Sequence, residues 1–189
     1  TSELFDGKKG IKVIPCYYKK DYPEWSDRGD GPGAPVAVHL PNSPVIATGK
    51  RDGSKIRLPN GNYLEETASY YVMIETKTGG YTPALITMKS TQLNVSKKWN
   101  SMMKTIQIPD GKGGMAIPPM HGVVYNLQSV LQKNDKGSWY GWSVTQDRIM
   151  GQKDKTLYLT AKDFNSSVSK GNVQTKADVE EKPKDSTPY

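Results

Sequence analysis

Aromatic residues and lysines are interleaved in three segments of the sequence, residues 17–25, 97–99 and 133–142. This combination is suited to single-stranded nucleic acid, because bases stack on aromatic rings for about 1–3 kcal/mol each while ammonium groups neutralise the phosphates. The sequence therefore predicts a nucleic-acid-binding surface. Its stacking residues would be Tyr17, Tyr18, Trp25, Trp139 and Tyr140, and its phosphate contacts Lys19, Lys20, Lys97, Lys98, Lys133 and Lys136.

Each of these rings also has a structural interpretation. Trp99 falls on a helical face with apolar neighbours and is predicted to belong to the core. Trp139 and Tyr140 are consecutive residues of a predicted strand, where successive side chains point to opposite faces. At least one of them is therefore expected to be exposed, and the same reasoning applies to Tyr17 and Tyr18.

The residue types that usually carry catalysis or bind metals are scarce. The sequence has two histidines, His39 and His121, and neither has a second imidazole or a thiol at the spacing of a zinc site. The single cysteine, Cys16, has no recognisable histidine partner for nucleophilic catalysis. We therefore expect a binding protein without a metal or cofactor, and an enzyme with an unrecognised motif remains the alternative.

The charge of the chain is basic, with 26 Lys and Arg against 19 Asp and Glu and a net charge of +7. Such a balance attracts polyanions. Residues 170–189 contain equal numbers of lysines and acidic residues, so the excess positive charge belongs to residues 1–169. No apolar run approaches the length of a membrane span, and we expect a soluble protein that does not contact a membrane.

The pattern of apolar residues predicts a sheet built from a first strand and two hairpins. Residues 11–22 are rich in β-branched and aromatic side chains, and Pro15 within them indicates an edge or a bulge. Residues 69–89 and 123–146 each contain two apolar-rich runs joined by a short polar turn, which is typical of a β-hairpin.

Two helices complete the predicted fold. Apolar residues recur at helical spacing over residues 95–106, with Ser90 or Thr91 as the expected cap, and again over residues 157–168. The expected fold is mainly β with two helices, an OB-fold-like small barrel with a helix inserted between the hairpins. Residues 1–169 would form this nucleic-acid-binding domain, followed by a disordered, charge-balanced C-terminal tail over residues 170–189.

Five sequence blocks lie between Ile14 and Trp142: Ile-Pro-Cys-Tyr-Tyr followed by Trp25, then LPNGNYL, TPALITMKSTQL, SKKWNSMM and NDKGSWYGW. These blocks resemble a family of small tailed-bacteriophage proteins associated with binding of single-stranded DNA. The resemblance implies a role in phage DNA replication, repair or recombination, in the cytoplasm of the infected host. Proteins of this class often recruit replication partners through a strongly acidic tail, and this tail departs from that pattern.

The sequence thus predicts sequence-tolerant binding of single-stranded DNA by aromatic stacking and lysine–phosphate contacts. The alternative is a phage virion or assembly protein whose aromatic surface is a protein–protein interface, because exposed Trp and Tyr also form interaction hot spots. Recruitment of replication proteins through the tail and self-association to a homo-oligomer both stay open.

Overall fold

The computed structural model describes residues 4–27, 34–135 and 137–173. The described residues form eleven strands and three α-helices. The strands are β1 Ile11–Trp25, β2 Ala37–His39, β3 Lys50–Asp52, β4 Lys55–Arg57, β5 Tyr63–Glu65, β6 Thr67–Glu75, β7 Tyr81–Lys89, β8 Ile108–Pro109, β9 Met115–Ala116, β10 Val123–Asn134 and β11 Gly137–Ile149. The helices are α1 Pro44–Thr48, α2 Leu93–Thr105 and α3 Lys155–Ser169.

The main sheet is antiparallel, with the strand order β7-β6-β1-β10-β11. The sheet is curled but stays open as a half-barrel, because its two edge strands, β7 and β11, do not pair with each other within the described residues. The helix α2 connects the β6–β7 hairpin to the β10–β11 hairpin. The predicted mainly β fold with two long helices, in an OB-like arrangement, is therefore confirmed.

The central strand β1 bends at a bulge. Its pairing with β6 shifts register between Pro15 and Tyr17, and an extra residue at such a point increases local twist. Pro15 lies at this bulge, two residues beyond Val13, where the pairing of β1 with β10 ends. Pro83 in β7, by contrast, lies in an edge strand, where a missing backbone N–H disturbs no further pairing.

A smaller sheet extends from the end of β1 and contains β2, β5, β4 and β3. The buried carboxylate of Glu24 in β1 fixes this sheet, since it accepts hydrogen bonds from His39 Nε2 at 2.7 Å, Asn60 Nδ2 at 3.1 Å and Asn62 Nδ2 at 2.6 Å. These bonds, the one from Asn62 first, lower the pKa of Glu24. The sequence predicts short strands near residues 35–40 and 55–58, and these correspond to β2 and β4. Strands β3 and β5, with three residues each, were not predicted.

One face of the main sheet packs against α2. Trp99 is fully buried there, as predicted, and its ring stacks on Tyr70 with centroids 4.3 Å apart and meets Tyr125 edge-on at 5.6 Å. The Tyr70 hydroxyl donates to the backbone carbonyl of Ser96 at 3.0 Å. These contacts fix the orientation of α2 against the sheet.

The entry into α2 differs from the prediction. Neither Ser90 nor Thr91 caps the helix with its side chain, because residues Ser90–Gln92 form a 3-10 turn that leads directly into it. Ser90 itself has a φ of 52°, so the chain leaving β7 turns through the left-handed region. The prediction of a side-chain cap is therefore wrong. The chain enters α2 directly from the 3-10 turn, without a capping side chain.

The opposite face of the sheet packs against α3. Ile14, Met73 and Val124 from three neighbouring strands contact Ala161 of the helix. The side-chain amide of Asn165 donates to the backbone carbonyl of Cys16. No helix within the described ranges is long and apolar enough to cross a membrane. Beyond residue 173 the predicted tail lies outside the described residues and stays a prediction.

Candidate nucleic-acid interface

Five of the predicted binding residues lie on α2 and on the β10–β11 hairpin, which pack beside each other. A cleft of about 320 Å³ separates the two elements, and it is lined by Lys98 of α2 and by Gln132 of the hairpin. The register of the hairpin places Trp139 on the face of Gln132, and Lys133 and Tyr140 on the opposite face. We use the name α2–hairpin surface for the five predicted residues of these two elements, Lys97, Lys98, Lys133, Trp139 and Tyr140.

A direct hydrogen bond fixes the hairpin to the start of α2. The backbone N–H of Trp142 donates to Gln92 Oε1 at 2.8 Å. A Cβ built on Gly141 would lie 2.3 Å from Gln92 Nε2, so a larger residue at position 141 would displace the end of the Gln92 side chain. The relative position of α2 and the hairpin therefore depends in part on this contact.

The register of the hairpin decides which aromatic ring is exposed. Trp139 pairs with Gln132 across the strands, and its indole N–H donates to Gln132 Oε1 at 3.0 Å. Tyr140 pairs with Leu131, and these two side chains are 69% and 62% exposed. The expected alternation is thus present, with Trp139 half-buried and Tyr140 available to a ligand.

The lysines of this surface carry charge that no carboxylate of the described residues neutralises. Lys97, Lys98 and Lys133 are exposed, and no carboxylate of the described residues forms an ion pair with any of them. The helix α2 contains no acidic residue. Positive charge therefore accumulates along its exposed side.

A second surface lies on the face of the sheet that α3 only partly covers. Met73 and Tyr71 are two residues apart in β6 and share a face; Met73 packs against α3, whereas Tyr71 lines a groove of about 270 Å³. We call this the sheet groove. Trp25 and Lys19 also line it, and Tyr17 lies beside it with its ring edge-on to Tyr71 at 6.0 Å.

The lysines of the sheet groove have carboxylate partners. Lys19 pairs with Asp21 at 3.2 Å and Lys89 with Glu65 at 2.9 Å, and all four side chains line the groove. The charges of these four groove residues therefore balance.

The remaining predicted residues lie elsewhere. Tyr18 faces α2, where its ring packs 4.9 Å from Tyr70 and belongs to the core. Lys20 forms an ion pair with Glu66 at 2.7 Å, which raises the pKa of the lysine. Lys136 lies outside the described residues. The residues selected from the sequence are thus divided among two surfaces and the core.

A basic hairpin was not selected from the sequence. Strands β3 and β4 carry Lys50, Arg51, Lys55 and Arg57. Lys55 Nζ lies 3.6 Å from the centroid of the Tyr63 ring, and Arg57 pairs with Asp27 at 3.3 Å and Asp52 at 3.4 Å. The alternation of Lys55 and Arg57 along one strand face was the available signal.

His121 and Cys16 occupy internal positions. His121 is only 7% exposed, with its ring 5.1 Å from that of Tyr158, and burial lowers its pKa. Burial raises the pKa of Cys16 to about 12, so its thiol stays protonated. Within the described ranges no group of three or more metal-ligating side chains converges.

The chain was compared with protein families, curated proteins and solved structures. A family model described as Pam3 phage gp34-like protein matches residues 1–174. No curated protein and no solved structure gives a significant match. The matched region runs from before β1 to beyond α3, so it includes the α2–hairpin surface and the sheet groove.

Proposed function

The chain belongs to the Pam3 phage gp34-like family, and from this premise we propose that it binds single-stranded DNA during phage replication, repair or recombination. The α2–hairpin surface is the observation that carries the proposal. Among the described residues, Lys97, Lys98 and Lys133 have no carboxylate partner, and Tyr140, which lies on the same face of the hairpin as Lys133, is largely exposed. Unneutralised ammonium groups next to an accessible ring are the features that retain a single strand.

In the proposed mode of binding, the aromatic rings contact the bases and the lysines contact the phosphates. A base stacks on Tyr140, which is exposed on one face of the hairpin, and a second base contacts the exposed part of Trp139. Lys97, Lys98 and Lys133 contact the phosphates. Stacking accepts every base, so the binding tolerates sequence. It needs no cofactor, and the protein would act in the cytoplasm of the infected host.

A second candidate function rests on the apolar character of the same hairpin. Leu131 and Tyr140 are cross-strand neighbours and both are largely exposed. Such a pair also suits a protein–protein contact in a virion or assembly intermediate. Stoichiometric presence of the protein in purified virions would favour this function over DNA binding.

The proposal is tested by fluorescence anisotropy of labelled oligo(dT) at low and moderate salt, with matched duplex as competitor. We expect preference for the single strand and weaker binding at moderate salt. A variant with Trp139→Ala and Tyr140→Ala should bind about 10- to 100-fold more weakly, since each stacked base contributes about 1–3 kcal/mol and the half-buried Trp139 contributes less.

Thermal melting of the double variant serves as the control for folding. Absence of oligo(dT) binding by the wild-type protein at low salt would refute the proposed function. Equal binding of duplex and single strand would refute the stacking mode.

A further inference from the structure

We propose that the phosphate backbone of the bound strand follows α2 and does not enter the sheet groove, and that Lys104 belongs to this contact. The inference rests on the proposed function, since it specifies where the DNA lies. It assigns a binding role to a residue that the interleaved aromatic segments did not indicate. It also departs from the usual OB-fold arrangement, in which the sheet face binds the oligonucleotide.

The charges of the sheet groove argue against phosphates there. Each groove lysine is paired within the protein, Lys19 with Asp21 and Lys89 with Glu65. A phosphate entering the groove would meet the two carboxylates as well as the two ammonium groups. It would also have to disrupt existing ion pairs, so little counterion release would follow.

The charges of α2 favour phosphates. Lys97, Lys98 and Lys104 are exposed, whereas Ser96, Trp99 and Met103 form the buried side of the helix. Lys97 and Lys104 are two turns apart, which corresponds to about 10 Å along the axis. No described carboxylate pairs with these lysines. The helix therefore presents a row of positive charges that these carboxylates do not neutralise.

The aromatic residues extend this row in one direction. Lys98 lines the cleft that α2 shares with Gln132, and Gln132 holds the Trp139 ring. Single-stranded DNA that lies along α2 thus reaches Trp139 across a single cleft, and Tyr140 follows on the other face of the hairpin. The basic hairpin of β3 and β4 is less suited, because Lys55 covers the Tyr63 ring and Arg57 already has two carboxylate partners.

Salt dependence separates these possibilities. For single strands the slope of log K against log salt is about −0.7 per neutralised phosphate. Replacing three lysines that contact phosphates should therefore reduce the magnitude of the slope by about 2, whereas lysines outside the contact should change it little.

The experiment measures oligo(dT) affinity over a range of salt for sets of substitutions with equal charge change. The α2 set is K97Q/K98Q/K104Q, the paired set is K19Q/K20Q/K89Q, and the α3 set, K155Q/K162Q/K170Q, reports the general effect of removing three charges. We expect the magnitude of the slope to decrease by about 2 in the α2 set and to change little in the other two sets. Melting temperatures verify that each set is folded.

Two results overturn the inference while leaving the proposed function intact. In the first, the α2 set keeps the salt slope of the wild-type protein. In the second, the magnitude of the slope decreases more in the paired set than in the α2 set. A decrease confined to K50Q/R51Q/K55Q, tested in parallel, would move the phosphate contact to the basic hairpin. If the wild-type protein does not bind oligo(dT), the proposed function itself fails.

Discussion

Ser90 connects β7 to the turn before α2 with its backbone in the left-handed region, at φ 52°. A non-glycine residue there stores conformational strain of about 1–3 kcal/mol. Ser90→Gly should therefore raise the free energy of unfolding by up to about 1 kcal/mol, after the greater flexibility of glycine in the unfolded chain is subtracted. Ser90→Val should lower it. Urea denaturation measures both, and a Gly variant less stable than the Val variant would contradict the assignment.

His121 makes stability depend on pH. Burial, followed by the nearby charge of Lys162, lowers the pKa of this histidine. The folded protein therefore takes up the proton less readily than the unfolded chain. The contribution of His121 to stability is fully present above the ordinary histidine pKa of about 6.5 and is lost as pH falls through the lowered pKa. A tenfold difference in proton affinity between the folded and unfolded chain corresponds to about 1.4 kcal/mol.

Urea denaturation of wild type and His121→Leu at about pH 7.5 and pH 5 tests this prediction. The wild-type protein should lose more stability on acidification than the variant. His39→Gln is the control, because His39 hydrogen-bonds Glu24 on the other sheet and its loss leaves His121 unchanged. Equal acid sensitivity of wild type and His121→Leu would contradict the account.

At the scale of elements, the sequence predicted the long strands and helices and two of the short strands, β2 and β4, but not β3 or β5. The two hairpins and the two long helices carry enough residues for their apolar pattern to be recognised, as in α2 with Trp99 and Met103 on the buried side. The three-residue strands of the smaller sheet offer no such pattern. They depend on side-chain bonds such as those to Glu24, whose partners are distant in sequence.

The helix α2 depends on Trp99 for its attachment to the sheet. Trp99→Ala removes the stack on Tyr70 and the edge contact with Tyr125 and leaves a cavity. We expect a loss of about 3–5 kcal/mol in the free energy of unfolding. Trp139→Ala, which removes a half-buried ring from the hairpin, should cost clearly less. Chemical denaturation followed by circular dichroism compares the two, and equal losses would contradict the described core.

For the whole molecule, the sequence predicts the excess of positive charge but not where that charge is left unneutralised. Lys20 and Lys97 look alike in the sequence, and each has a neighbouring lysine and a nearby aromatic residue. Only the fold brings Glu66 to Lys20 and leaves Lys97 without a carboxylate among the described residues. Ion pairs between residues that are distant in the sequence thus determine which of the candidate lysines are neutralised and which can contact a phosphate.

The most direct test of the central claim is photo-crosslinking of a halogenated single-stranded oligonucleotide to the wild-type protein, followed by mass spectrometry of the peptides. Crosslinks report the residues in contact with bases. We expect adducts at Tyr140 and Trp139, which decrease when unlabelled single strand competes and persist with matched duplex. Absence of crosslinks, or adducts confined to the sheet groove at Tyr17 and Trp25, would contradict the account.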